Sequence, residues 1–392
     1  MQNTFLRLIM LAFLVGLGIL VLQASVQRPH ILVVHSYNTD YIWTQQINTG
    51  LDRVFKGQNL MDIQYHYMNT KNFKEKSNLR RSGIAARHAV DAIRPDVLIA
   101  IDDDAQELVA KHYVQDSHIQ IVHAGINGNL EQYGYNGANN VTGILERKPL
   151  QAIKEMVFFI GNLAQAAGGG SDGNSATKGK WEQGQDSIPT LLSLPSLSSV
   201  QPLSGISPPD KGKAHDTRIR ALFLSDNSKS VRMDAKFLKN FPWAPVDYRG
   251  NLAVQSYQEW QDAILGMDEM ADIVLVGGYR ELTRANGKEF VPPEEVMRWT
   301  DNNSKKPVIG MNVFNAADGA MISLGVSPFE QGEVAARMTL DILKNKVKAS
   351  AIPTRSSEQY VLSMRKSAIQ RRGIDLPSMF EAFSRTTNNF FE

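Results

Sequence analysis

From Ile31 onward the chain alternates short, unbroken apolar runs with segments whose apolar residues recur at helical spacing. ILVVHS (31–36), MDIQYHYM (61–68), DVLIAIDD (96–103), IQIVHAGI (119–126) and VTGILE (141–146) read as strands. Between them, Trp43 to Phe55 places Ile47, Leu51, Val54 and Phe55 at helical intervals, and Asn78 to Ile93 and Ala105 to Tyr113 read as further helices. Pro95 stops the second of these. Continuous apolar strands separated by helices predict a parallel sheet covered on both faces. Right-handed crossovers then make it doubly wound.

The pattern starts again after residue 148. Helix 150–160, strand RIRALFLS (218–225), helix 231–238, strand VDYRGNLAV (246–254), helix 257–270, strand DIVLVGGY (272–279), helix 293–300 and strand PVIGMNVF (307–314) predict a second α/β lobe of similar size. The late elements are AMISLGV (320–326), a helix from about 329 to 344 and a strand near 359–364. They are too few for a third domain, so they complete the first two. Lobe 1 is expected at 29–147 plus 318–350, and lobe 2 at 148–317 plus 351–385. Residues 161–216, with AAGGGSDGNS and SLPSLSSVQPLSGISPP, keep no period of 2 or 3.6 and read as a disordered insertion within lobe 2.

Residues 1–28 have a different character. Arg7 precedes the apolar run LIMLAFLVGLGILVL, and Ala24 offers a small residue for cleavage. Residues 8–26 are also close to the ~20 needed to span a bilayer, so a cleaved signal peptide and a retained anchor both stand. Either reading exports the body, so a periplasmic location is expected. There is no cysteine, hence no disulfide, thiolate metal site or acceptor for a lipid. A formal net charge of +2 with scattered Lys and Arg argues against nucleic acid as a partner.

Ligands of open parallel sheets collect outside the carboxyl ends of the strands. In the first lobe those ends carry Tyr37, with Tyr41 and Trp43 just beyond, then Asp102 and Asp103, then Asn127. In the second they carry Ser225 and Asn227, Tyr279, and Asn312 and Asn315. Aromatic faces, amides, hydroxyls and a few acids suit a small-molecule lining. Each has a plainer use: Tyr41 and Trp43 as helix-entry packing, Asp104 as a helix cap, Ser225 to Asn227 as a turn. Catalytic machinery is not evident. The chain lacks the phosphate loop G-x-x-x-x-G-K-[ST] and H-E-x-x-H, and no G-x-S-x-G forms an elbow between a strand and a helix, so no enzyme activity, cofactor or metal is expected.

HSYNTDYIWTQQINTGL, PDVLIAIDDDAQELV, IVHAGINGN and NNVTGILER resemble the substrate-binding proteins of ABC transporters with the type 1 periplasmic-binding fold. The likeness is greatest to the branch also used as extracytoplasmic sensor modules. DGAMISLGVSPFEQGEVAARMTLDILKNK, IPTRS and RRGIDLP resemble that family's closing segment. The resemblance covers about 29–160 and 217–378. It implies two lobes joined by a hinge, with crossings near Glu146–Lys148, Ala317–Gly319 and Ala349–Pro353, and a small ligand captured by hinge closure. The partner it implies is an ABC permease that receives the ligand. The alternative is a membrane-bound kinase or cyclase that reads the bound state. An exported α/β hydrolase is the minor alternative.

Overall fold

Strands β1 (His30–His35) and β3 (Val97–Ile101) are buried along almost their whole length, as their unbroken apolar runs require. Alternate side chains serve opposite faces. Ile31, Val33, Val97, Ile99 and Ile101 join one hydrophobic cluster, whereas Leu32, Val34, Leu98 and Ala100 join another. Together with β2 (Asp62–Tyr67), β4 (Gln120–Ile126), β5 (Val141–Leu145) and the short β11 (Arg355–Ser356), they form a six-stranded sheet. Its order is β11-β5-β4-β3-β1-β2, and every pairing is parallel. The five longer strands therefore run 2-1-3-4-5, which puts the topological switch point between β1 and β3.

The second sheet is built from β6 (Arg220–Asp226), β7 (Asp247–Val254), β8 (Ile273–Val276), β9 (Val308–Gly310), β10 (Ile322–Val326), β12 (Tyr360–Arg365) and β13 (Phe390–Phe391). Its order is β13-β12-β10-β9-β8-β6-β7, parallel except where β12 runs against β10. The 2-1-3-4-5 order thus recurs, with its switch point between β6 and β8. Phe223, Leu275, Ile309 and Leu324 face a cluster with Met156, Val157, Ile160 and Phe380. Leu224, Val276 and Val308 face one with Trp260, Ile264 and Met297. Both sheets are covered on both sides, the α/β class expected.

The computed structural model describes residues 10–11, 13–17, 28–58, 60–73, 75–168 and 218–392. They form two units: the chain up to Glu146 with Pro328–Ser356, and Arg147–Ser327 with Ser357–Glu392. In the first, helices Ile42–Phe55 and Pro328–Asn345 cover one sheet face and meet backbone to backbone. A Cβ on Gly332 would lie 2.1 Å from the Ile47 carbonyl oxygen, and one on Gly50 would lie 2.2 Å from that of Phe329. Only hydrogen fits there.

Several expected elements are placed differently. Residues 320–326, assigned to lobe 1, supply β10 in the second sheet, because Ile322 to Val326 pairs with β12 and β9. The chain passes between units at 146–147, 327–328 and 356–357, not at 317–319 or 349–353. The helix from Leu150 runs on to Gly168, so residues 161–168 belong to it and not to the insertion. The rest of the insertion lies outside the described residues, as does most of the leader. Strand 307–314 shortens to Val308–Gly310, because the Asn315 side chain accepts from the Asn312 N–H at 2.6 Å and turns the chain into helix Phe314–Asp318. No helix among the described residues is long and apolar enough to cross a membrane.

Candidate functional site

In the first unit the switch-point strands deliver Tyr37 and Asp102 side by side. Asp102 follows β3 at φ +67° and ψ 163°, a region almost confined to glycine, and such backbone costs on the order of 1–3 kcal/mol. Its N–H donates to Ala124 O at 2.9 Å, tying β3 to β4. Gly125 makes room: a Cβ there would come 2.7 Å from Asp102 Oδ1. Helix Asp103–Leu108 starts one residue later, so Asp102 holds the position before the first turn that the sequence suggested for Asp104. Its side chain does not cap. Trp43 Nε1 donates to Asp102 Oδ1 at 2.9 Å, while Oδ2 is buried with no hydrogen-bond partner among the described residues.

Burial first, then Glu146, push the Asp102 carboxyl well above the usual range, and Lys71 pulls it back. Tyr37 is likewise raised, by burial and then by Asp102. Tyr37 and Tyr41 meet edge to face at 5.3 Å. Between them lies a cation that the sequence reading passed over. Lys71 Nζ sits 4.3 Å from the Tyr37 ring centroid, 3.9 Å from that of Tyr41, and donates to the Tyr41 hydroxyl at 2.6 Å.

Asp103 and Asn127 are engaged differently. Asp103 accepts from the N–H groups of Asn127 and Gly128 at 3.2 and 3.1 Å and from the Tyr133 hydroxyl at 2.6 Å, locking the loop after β4. Asn127 Nδ2 donates to Glu146 Oε2 at 3.0 Å. The structure thus gathers Tyr37, Tyr41, Trp43 and Asp102 around Lys71. Asp103 and Asn127 shape the neighbouring turn.

In the second unit the same strand ends hold a different chemistry. Ser225 is buried at the end of β6 with its hydroxyl unpartnered among the described residues. Asp226 accepts from the N–H groups of Ser228 and Glu281, so it organises both switch-point loops. Asn227 is exposed. Gly277 and Gly278 lie where a Cβ would come 2.5 Å from Phe223 and from Val231, which accounts for the doublet. Asn312 accepts from Lys148 Nζ at 2.5 Å. Tyr279 and Asn315, expected to touch ligand, are fully buried. Tyr279 packs against Trp260 and donates to Asp318 at 2.6 Å, and Asn315 holds the turn already described. Arg280 pairs with Asp318 at 2.7 Å and lies over the Phe314 ring. Lys71 and Arg280 follow the ends of β2 and β8, so counting four residues past every strand would have found both. No group of three or more His, Asp or Glu that could hold a metal occurs among the described residues.

Residues 283–385 match the family model described as ABC transporter substrate binding protein. The fold likeness is broader than this segment. A conserved domain protein from Vibrio cholerae O1 biovar El Tor is 14% identical, with a TM-score of 0.57, over 91% of this chain and 98% of that one. An ABC domain from Streptococcus pneumoniae in complex with L-Trp is 13% identical, with a TM-score of 0.54, over 90% and 98%. A substrate-binding protein with adhesive properties from Clostridium difficile, in its ligand-free open form, is 12% identical, with a TM-score of 0.57, over 89% and 96%. At these identities the structures speak for the fold alone: two mainly parallel α/β sheets of the type 1 periplasmic-binding kind. No curated protein matches the chain in sequence.

Proposed function

We propose that this substrate-binding chain works outside the cytoplasm, captures a small organic solute by hinge closure of its two units and delivers it to an ABC permease. The observation that carries the reading is the repetition of one strand order in both sheets, each with polar and aromatic side chains beside its switch point. Such edges are where open α/β sheets bind ligands. The matched family is a binding family, which favours capture over turnover. Export is supported by the apolar run 8–22 behind Arg7. The L-Trp complex of the Streptococcus protein suggests a solute of amino-acid size. A ligand shifts the population toward a closed form only by the contacts it gains there.

The test is a metabolite screen by thermal shift, followed by Tyr37→Leu and Trp43→Phe. A binder of the native state raises the melting temperature with concentration. The first-unit site is upheld if either variant loses that rise while keeping a cooperative transition. A screen that yields no stabilising solute, together with no ligand in natively purified protein, would refute capture. Once a ligand is in hand, co-purification with a permease rather than a kinase or cyclase decides between delivery and sensing.

A further inference from the structure

The geometry points to a cage for a positively charged nitrogen, walled by Tyr37 and Tyr41 with Asp102 beside them, in which Lys71 stands as the chain's own substitute for the ligand. The inference rests on the solute-binding reading and narrows it to solutes carrying an ammonium or quaternary nitrogen.

Three observations carry it. The Lys71 ammonium lies within cation–π range of two rings at once, 4.3 and 3.9 Å from their centroids, and those rings meet edge to face. Its ammonium donates to Tyr41, a wall of the cage. Next, the carboxyl groups Asp102, Asp104 and Asp103 all act on the Tyr37 wall. Asp102, Asp103 and Asp104 are consecutive, and Glu146 acts on Asp102 from the end of β5. Asp103 is committed to the loop after β4, but Asp102 keeps a buried oxygen without a partner among the described residues. A cation between the rings is attracted by both ring faces and favours the charged form of Asp102, as Lys71 does, whereas an anion would be repelled by both. Lastly, Lys71 is half-buried on a flexible four-carbon stem, so its head can swing to water while the stem stays in place. Lys148 in the second unit differs, with its side chain only 8% exposed.

A cationic ligand would therefore enter by exchange, its nitrogen replacing Nζ between the rings. Lys71 makes the empty site electrically tolerable and sets a threshold: only a solute with a better-placed cation displaces it. Neutral solutes of the same shape gain nothing from the cage.

Choline and its neutral carbon isostere 3,3-dimethylbutan-1-ol are the probes, measured by calorimetry on the full chain, with acetate as the anionic control. Choline should bind the parent weakly and Lys71→Met roughly tenfold more tightly, the size of one cation–π contact regained. The isostere and acetate should bind neither. Tyr41→Phe keeps the ring and should retain choline, while Tyr41→Leu should lose it; a melting curve of each variant checks the fold. The cage is refuted if choline and its isostere bind alike, if Lys71→Met weakens choline, or if acetate binds the parent and fails on Lys71→Met. A neutral or anionic ligand in natively purified protein would overturn the cage and leave solute capture standing. Choline binding of the expected pattern without any natural ligand would do the reverse.

Discussion

His35 closes β1, two residues before Tyr37, and its burial gives the protein a calculable acid sensitivity. The ring is fully buried and stacks on Tyr67 at 5.1 Å. Its Nε2 lies 2.7 Å from Asn48 Oδ1, and Asn48 Nδ2 donates to the Tyr67 hydroxyl, so the network assigns the proton to Nε2. Nδ1 has no hydrogen-bond partner among the described residues. Burial lowers the pKa from 6.5 to about 4, although the bond to Asn48 opposes the shift. The unfolded chain takes up a proton near pH 6.5 and the native state only near 4. Stability from the neutral ring is therefore complete above 6.5, drains away between 6.5 and 4, and levels off below. The loss across that window is about 3 kcal/mol, from 1.36 kcal/mol per pH unit. Asp102 works in the opposite sense, because its raised carboxyl regains stability as pH falls. The difference between parent and His35→Gln isolates the histidine. Urea unfolding at pH 7, 5.5 and 4 should show the parent losing about 3 kcal/mol more than the variant. Equal pH dependence in the two proteins would refute the account of a buried, neutral His35.

Other substitutions test separate parts of the structure. Trp43→Phe removes the N–H that serves Asp102 and should cost about 1–3 kcal/mol in chemical denaturation at neutral pH; adding Asp102→Asn should recover part of that loss. Gly332→Ala forces a methyl onto the Ile47 carbonyl and should lower stability by about 1–3 kcal/mol without changing any polar group. In the second unit Asp301, with a side chain 1% exposed, pairs with Arg372 at 2.6 Å and with the more exposed Arg371. Arg372→Met should cost about 3–5 kcal/mol, because it leaves a buried carboxylate to the more exposed Arg371 alone. Arg371→Met should cost clearly less, and equal losses would show that Arg371 carries the pairing.

The strands were legible because burial on both faces leaves no room for polar residues, so DVLIAI and DIVLV announce themselves. Partnership was not. AMISLGV looks the same whichever sheet it enters, and only its pairing with β12 reveals which. The site was legible wherever a strand end coincided with an aromatic or an acid, as at Tyr37 and Asp102. Tyr279 shows the limit of that rule: it too follows a strand, but its hydroxyl is bound to Asp318, thirty-nine positions later. Position after a strand tells where a side chain starts, and only tertiary partners tell which way it goes. Lys71 was missed for a similar reason. Nothing about a lysine in a loop signals that two tyrosines, thirty and more residues earlier, will enclose it.

The glycine-fitted helix Pro328–Asn345 has a consequence for how the protein is made. The strands β1 to β5 leave the ribosome within the first 146 residues, yet one of the two helices that shield one side of their sheet is translated only after the whole stretch Arg147–Ser327. Until then Val33, Ile99 and Val122 lack the Val334, Ala335 and Met338 that bury them. A nascent chain stalled at Ser327 should be cut readily within its first 146 residues, and one stalled well past Asn345 should resist.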